Sequence, residues 1–296
     1  MSKTKNQHYI PYSYLKRFAT KDKIDIYDVP LGKIRGNQAI EKNACRHLYY
    51  DIDYKELEPF LKEVFELRPN IKDKDIFKDN QYVEHYLSRV EGAAIHIFNE
   101  LEKDTTLINN DEYRYILTIF LHDLAYRTEG VRKTDEIINK KTYDQLSEAF
   151  PAEYLTQFDE GVAKKKQLYN LLSIKSLLRT STILFEDYDW YIGINQSTQI
   201  NFIISDNPAL NIIIKFNDIC IPFSQKYALI FKRKDKTVAD ITHDKSNDEK
   251  IYLSEQAILE YNIQQITYTN KYIFGDRKTL ELLTPIIKIT PTINWQ

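Results

Sequence analysis

Ile183-Leu184-Phe185, Trp190-Tyr191-Ile192-Gly193-Ile194, Phe202-Ile203-Ile204, Leu210-Asn211-Ile212-Ile213-Ile214, Cys220-Ile221 and Tyr227-Ala228-Leu229-Ile230-Phe231 follow one another as short β-branched or aromatic runs divided by turn residues. Such side chains suit a pleated, half-buried surface, so each run predicts a strand. No long helical period separates the runs, which predicts an antiparallel sheet. The period changes at Thr182. Beyond the sheet, Ser254 caps a predicted helix with Glu255 in its first turn, running to about Thr269. A strand at Tyr272-Ile273-Phe274, a short helix from Arg277 and a last strand near 286–289 close the chain.

Upstream of Thr182 the period is helical. The segment 54–67 puts Leu57, Phe60, Leu61, Val64 and Phe65 on one stripe, and Arg68-Pro69 stops it. From 81 to 101, Val83, Leu87, Val90, Ala94, Ile97, Phe98 and Leu101 recur at the same spacing. Asp111 is the expected cap of a helix through Arg127, with Tyr115, Leu117, Ile119, Phe120, Leu121 and Leu124 on its face. Further helices are predicted from 132 to 150 and, after Pro151, from about 153 to 178. Nearer the start, 23–29 alternates polar with apolar, Pro30-Leu31-Gly32-Lys33 is a turn and Lys33-Ile34-Arg35 a return strand, which together predict a hairpin. The class is α+β, with a central helical block packed against a mainly antiparallel sheet in the C-terminal half. No repeat or low-complexity linker interrupts the chain. A single integrated domain over 1–296 is expected, made of an N-terminal segment (1–51), the helical block (52–180) and the sheet with one long helix (181–296).

The composition excludes several classes. A chain of 296 residues at 43% hydrophobic and 13% aromatic content can bury a core and is not disordered. With 41 Lys+Arg against 43 Asp+Glu there is no global field for a polyanion, so any nucleic-acid contact must be a local patch. Cys45 and Cys220 make neither a disulfide framework nor a zinc site. The first residues carry no apolar run, and the longest greasy stretches fall far short of the roughly 20 residues that span a bilayer. A soluble cytoplasmic protein is expected, with no membrane partner. The 22 tyrosines have a bland source in A- and T-rich codons and need not form a stacking surface.

Polar residues that could carry chemistry gather at the ends of predicted elements. In Gln7-His8-Tyr9-Ile10-Pro11-Tyr12 a titratable imidazole lies beside an aromatic and just before a rigid proline. The same segment also reads as Tyr9, Tyr14, Leu15 and Phe18 pinning the terminus to the core. Ser205-Asp206-Asn207-Pro208 ends an apolar run, where Asp206 could be a general base, a metal ligand or an orienter of His, and Asn207 a donor. A plain turn, with Asp206 bonding its own backbone, uses the same residues. Arg127 and Arg132 flank a helix junction and could clamp a phosphate or pair with surface acids. His122-Asp123, with His85 or His96, matches a metal-phosphohydrolase dipeptide, and Arg89 to His96 a loose ribonuclease spacing, each without a second element. The runs Lys164-Lys165-Lys166 and Lys232-Arg233-Lys234-Asp235-Lys236 fit solvated faces. A Gly-rich phosphate loop, a nucleophile elbow and paired-cysteine motifs are all missing from the sequence.

Taken as an ordered set, His8-Tyr9-Ile10-Pro11 with Tyr14-Leu15-Lys16 and Phe18, Glu91 in Val90-Glu91-Gly92-Ala93-Ala94, Arg127-Thr128, Ser205-Asp206-Asn207-Pro208 and Ile221-Pro222-Phe223-Ser224 resemble a bacterial family. It is the domain-of-unknown-function family 4238, with its His-Tyr-Val/Ile-Pro start and later Ser-Asp-Asn-Pro. The resemblance runs from His8 to about Phe274. It departs at Pro222-Phe223-Ser224, where the family more often has Pro-Leu-Ser. Members of that family occur among single-gene bacterial anti-phage defence proteins, and the resemblance implies convergence of His8, Glu91, Arg127, Asp206 and Asn207. It brings no reaction with it.

Two functions follow as expectations. The first is an anti-phage effector acting on nucleic acid as a nuclease. His8 would be its acid or base, Asp206 and Glu91 would orient it or hold one divalent ion such as Mg²⁺ or Mn²⁺, and Arg127 would offset phosphate charge. Tyr9, Tyr12, Arg132, Ser205, Asn207 and Ser224 would contact the substrate. The second is a non-catalytic sensor of a phage protein, in which Asp206 caps a turn and Arg127 pairs with Glu91. The sequence leaves the oligomeric state open.

Overall fold

A computed structural model describes residues 4–53, 55–56, 80–151, 154–155, 161–214, 218–234 and 249–291. The expected helix over 54–67 lies outside these residues, save 55–56. The architecture is α+β. Strand β1 (Asn6–His8) pairs antiparallel with β4 (Cys45–His47), Gln7 opposite Arg46. Between them lie the short helix α1 (Tyr12–Lys16) and the hairpin β2 (Lys23–Asp28) and β3 (Lys33–Ala39). The return strand runs further than Arg35 because the ladder continues past a bulge at Ile24 and Ile26 to Lys23 opposite Ala39.

The helices are α2 (Tyr82–Leu101), α3 (Asp111–Tyr126), α4 (Glu129–Ser147), α5 (Val162–Leu172) and α6 (Ile174–Glu186). Asn110, not Asp111, caps α3, its side chain accepting from Tyr113 N at 3.1 Å. Helix α4 starts three residues before the expected Arg132 because Thr128 caps it through Val131 N. The helix expected over 153–178 is broken, in its described part, at Ser173. That residue closes α5 with its N–H on Tyr169 O, and its Oγ caps α6.

Beyond these helices lie β5 (Tyr188–Asn195), β6 (Ile204–Ser205), α7 (Leu210–Ile214), β7 (Asp218–Pro222), β8 (Tyr227–Arg233), β9 (Lys250–Leu253), α8 (Glu255–Thr267), β10 (Tyr272–Gly275) and α9 (Arg277–Ile289). One sheet has the order β7-β8-β5-β9, antiparallel except for the parallel pair β5–β9. A second, β3-β2-β10-β6, joins the N-terminal hairpin to C-terminal strands, with Ile273 opposite Tyr27 on one side and Ser205 on the other. Three apolar runs are helical rather than extended. Ile183–Phe185 is the last turn of α6, closed by Asp187 N on Ile183 O at 3.1 Å. Leu210–Ile214 follows a proline turn whose local bonds, Leu210 N to Asn207 O and Ile212 N to Ala209 O, set a helical path that β-branching alone does not forbid. The stretch 286–289 belongs to α9, where Leu280, Leu283 and Ile287 share one buried face despite Pro285.

The main core cluster draws Tyr9, Tyr14 and Phe18 from the first segment, Phe98 and Phe120 from the helices, Phe223 from the β7–β8 turn and Phe231 from β8. Phe98 stacks on Phe223 at 4.7 Å and meets Phe120 edge-on at 5.5 Å. The Tyr14 hydroxyl donates to Pro222 O, tying the first helix to the end of β7. The N-terminal segment is thus packed between helices and sheet, and β1 runs under the α3–α4 corner.

Candidate functional site

The corner between α3 and α4 is where the sequence motifs gather. Arg127, the C-cap of α3, is 2% exposed, and each of its donor groups has an oxygen. Nη1 donates to Glu91 Oε1 at 2.6 Å, Nη2 to the His8 carbonyl at 2.5 Å and Nε to the Tyr50 hydroxyl at 3.3 Å. The guanidinium also lies 5.7 Å from the centre of the Tyr50 ring. A buried guanidinium needs such partners, because desolvation of an unpaired charge costs several kcal/mol on the order of the whole fold's margin. His8, Glu91 and Arg127 therefore meet directly.

Around this pair are groups whose polar atoms are buried without a hydrogen-bond partner among the described residues: His8 Nε2, Glu84 Oε2 and Asp123 Oδ2. Glu84 and Glu91 stand seven apart on one face of α2, and Asp123 is one turn before Arg127 on α3. Burial, helped by the Arg127 charge, holds the His8 imidazole down at about 4, against a backbone hydrogen bond at Ile40. Burial pushes Glu84 up to about 7 despite Arg127, with Glu91 and Asp51 adding repulsion. Burial likewise raises Asp123 well above the carboxylate range, against Arg127 and a hydrogen bond from the Tyr86 hydroxyl at 3.3 Å. Burial thus favours the neutral imidazole and the protonated form of both carboxyls around one fixed cation, groups of the kind that proton transfer uses.

Ser205, Asp206 and Asn207 reach the same corner from the other side. Asp206, 1% exposed, accepts backbone N–H bonds from Asn270 at 2.8 Å, Lys271 at 2.7 Å and Tyr272 at 3.3 Å, and so closes the turn between α8 and β10. Burial still pushes its carboxyl up to about 7, these bonds opposing. Ser205 N and Oγ both bond Gln265 Oε1, and Asn207 Nδ2 donates to Tyr268 O at 3.0 Å. The Asn207 amide lies flat on the first turn of α4. A Cβ at Gly130 would stand 2.5 Å from Asn207 Oδ1, so only glycine admits this approach. Asn207 thus touches the corner through α4, and no hydrogen bond or ion pair links it or Asp206 to His8, Glu91 or Arg127.

The other candidates have separate places. Tyr9 is buried, its ring tilted against Tyr49 at 6.1 Å, and its hydroxyl is raised by burial and by the Asp206 and Glu129 charges. Tyr12 meets the His8 ring at 6.0 Å and donates to Asp22. Ser224 Oγ accepts from Tyr227 N in the β7–β8 turn. His122 is a core residue, with Nδ1 on Thr180 Oγ1 and Nε2 on the Asn170 carbonyl, both at 3.0 Å, and burial holds it down at about 4. Arg89 and His96 are exposed on α2. Lys164 donates to Asp51 O, Lys165 pairs with Glu56, Lys166 with Asp135 and Lys232 with Asp218, while 235–236 lie outside the described residues. Glu91 and Asp206, the pair expected to share an ion, are engaged by Arg127 and by backbone amides respectively. Among the described residues no group of three His, Cys, Asp or Glu side chains is placed to hold a metal.

Sequence reasoning missed Glu84, Tyr50, Glu129 and Gly130. For Glu84 the signal was its spacing to Glu91. Glu129 carries the second half of the corner: Arg46 grips it through Nη2 at 2.8 and 3.1 Å, and Lys271 Nζ lies at 3.5 Å. Beside it opens a cleft of about 390 Å³ between β4, α4 and α5, with Arg46, Tyr49, Glu129, Arg132, Lys133 and Lys164 on its walls. Among the described residues no helix is long and apolar enough to cross a membrane.

These features define an α+β protein whose N-terminal strand and later Ser-Asp-Asn-Pro turn are clasped to one helix corner. The chain belongs to the protein family of unknown function DUF4238, whose model matches residues 6–279. No curated protein and no solved structure matches it.

Proposed function

We propose that the chain is an anti-phage defence effector that hydrolyses nucleic acid, with the Arg127 corner as its catalytic end. The observation that carries this reading is the set of buried, unpartnered polar atoms on His8, Glu84 and Asp123 around a paired arginine. Displaced titrations gathered at one place are a feature of functional sites. Glu84, poised at about 7 and partly exposed, would deliver a proton to a leaving oxygen. His8, neutral with its buried Nε2 unpartnered, would accept one from a water admitted beside it. Arg127 and Glu91 position the His8 strand rather than touch substrate, since the guanidinium is already engaged. Asp206 and Asn207 are given the role of clamp. The defence setting rests on the family resemblance.

The test is incubation of the purified protein with total bacterial RNA, tRNA and phage DNA, with Mg²⁺, Mn²⁺ or EDTA, beside His8→Ala and Glu84→Gln. Cleavage by the parent and a loss of at least 100-fold in both folded variants is expected. Full activity in either variant overturns its assignment.

A second reading, a non-catalytic sensor of a phage protein, is favoured by one observation. Arg127 and Asp206 have their hydrogen bonds met within the fold, as a structural network requires. Cleavage of no substrate under any condition, with a phage protein captured from infected cells, would select it.

A further inference from the structure

The cleft beside the corner gathers cations on its walls and holds one of them in place. Arg46, Arg132, Lys133 and Lys164 face two carboxylates, Glu129 and Glu136, in a chain whose overall charge is -2. Arg132 is fixed in advance: its guanidinium lies 3.5 Å from the centre of the Tyr49 ring, Nε donates to Gln167 Oε1 at 2.7 Å and Nη2 to Tyr49 O at 3.1 Å. Its Nη1 has no acceptor among the described residues. Tyr49 is itself fixed, edge-on to Tyr50 at 4.8 Å. Holding the fork still removes the rotamer entropy that a surface arginine loses on binding. Lys133, one residue on, has no ion-pair partner among the described residues. His47, exposed on the wall, adds a flat ring. A volume of about 390 Å³ falls in the range of small-ligand sites, roughly 300–1,000 Å³, and exceeds what an inorganic anion fills.

We propose that this cleft binds a phosphorylated nucleoside, the phosphate held by Arg132 and Lys133 and the base laid against His47. Guanidinium forks and lysine suit phosphate oxygens, and bases stack on flat side chains. The phosphate belongs to a free nucleotide or to a nucleic-acid strand. The inference stands on the cleft alone and holds whether or not the chain cleaves what it binds.

The test is calorimetric titration of the full chain with 5′-AMP, adenosine and inorganic phosphate, and with a single-stranded oligonucleotide carrying or lacking a 5′-phosphate. AMP or the phosphorylated strand is expected to bind at least tenfold more tightly than adenosine, and AMP more tightly than phosphate. Comparable affinity for AMP and the strand identifies a free nucleotide as occupant, and much tighter binding of the strand identifies nucleic acid; both support the site. Lys133→Glu is expected to weaken binding at least tenfold with an unchanged melting temperature, and Lys140→Glu, elsewhere on α4, to leave it unchanged. Arg132→Lys tests the fork and should weaken binding with charge retained. Adenosine or phosphate binding as well as AMP, or equal effects of the two lysine variants, overturns the proposal.

Discussion

Two buried ionisable groups, Arg127 at the α3–α4 corner and Asp206 in the turn between α8 and β10, are partnered by different means. Arg127 is met by a carboxylate, a carbonyl and a phenol from three parts of the chain, and its surroundings keep acids and an imidazole with polar atoms unpartnered. Asp206 faces no cation at hydrogen-bond distance and is held by three successive backbone amides of one turn. A carboxyl bound by successive amides is a device for fixing a loop. A cation bound by scattered side chains, with unpartnered titratable neighbours, fixes a geometry in which protons can move. The comparison separates a clamp from a candidate site although both carry family-signature residues.

Breaking the cation side should cost most. Arg127→Ala leaves Glu91 and the His8 carbonyl without their donor and is expected to lower unfolding free energy by about 3–5 kcal/mol in urea titration. Breaking the junction of the two regions comes next. Gly130→Ala drives a methyl group into the Asn207 amide, and a loss of about 1–3 kcal/mol is expected from overpacking, read from the shift in melting temperature. Retained stability would mean that Asn207 moves freely off α4.

The smallest effect sharpens the comparison through pH. Glu84 has its folded value raised to about 7 from an ordinary 4.5, so its carboxyl costs nothing below about 4.5 and increasingly opposes folding as pH rises through 7. Glu84→Gln should therefore match the parent at pH 4 and exceed it by about 1–2 kcal/mol at pH 8, the lower end reflecting partial exposure. His8 works oppositely: its value is lowered to about 4 from 6.5, so its stabilising share is complete above 6.5 and is lost as pH falls toward 4. Equal stability of parent and Glu84→Gln across pH 4–8 would show that Glu84 is solvated.

Much of this was legible in the sequence where period and local chemistry agree. The 23–29 alternation is β2, the Ser254 cap opens α8, and the change to strand period precedes β5. Where a β-branched run meets a proline turn, as at Leu210–Ile214, composition pointed to a strand and local hydrogen bonds made a helix. The strand expected near 286–289 is instead the end of one amphipathic helix that carries Pro285 within it. The site was legible only in part. His8, Glu91 and Arg127 carry family motifs, whereas Glu84 and Asp123 owe their altered protonation to burial, which no short motif encodes. The role of Gly130 depends on a chain segment 77 residues later.

The central claim is that the Arg127 corner is a working site rather than a brace. It is tested most directly by plaque formation on cells expressing the parent or Glu84→Gln, with the thermal stability of each protein measured alongside. The account predicts that Glu84→Gln abolishes protection while its stability at pH 8 is unchanged or raised. Full protection by a stable Glu84→Gln protein would contradict it.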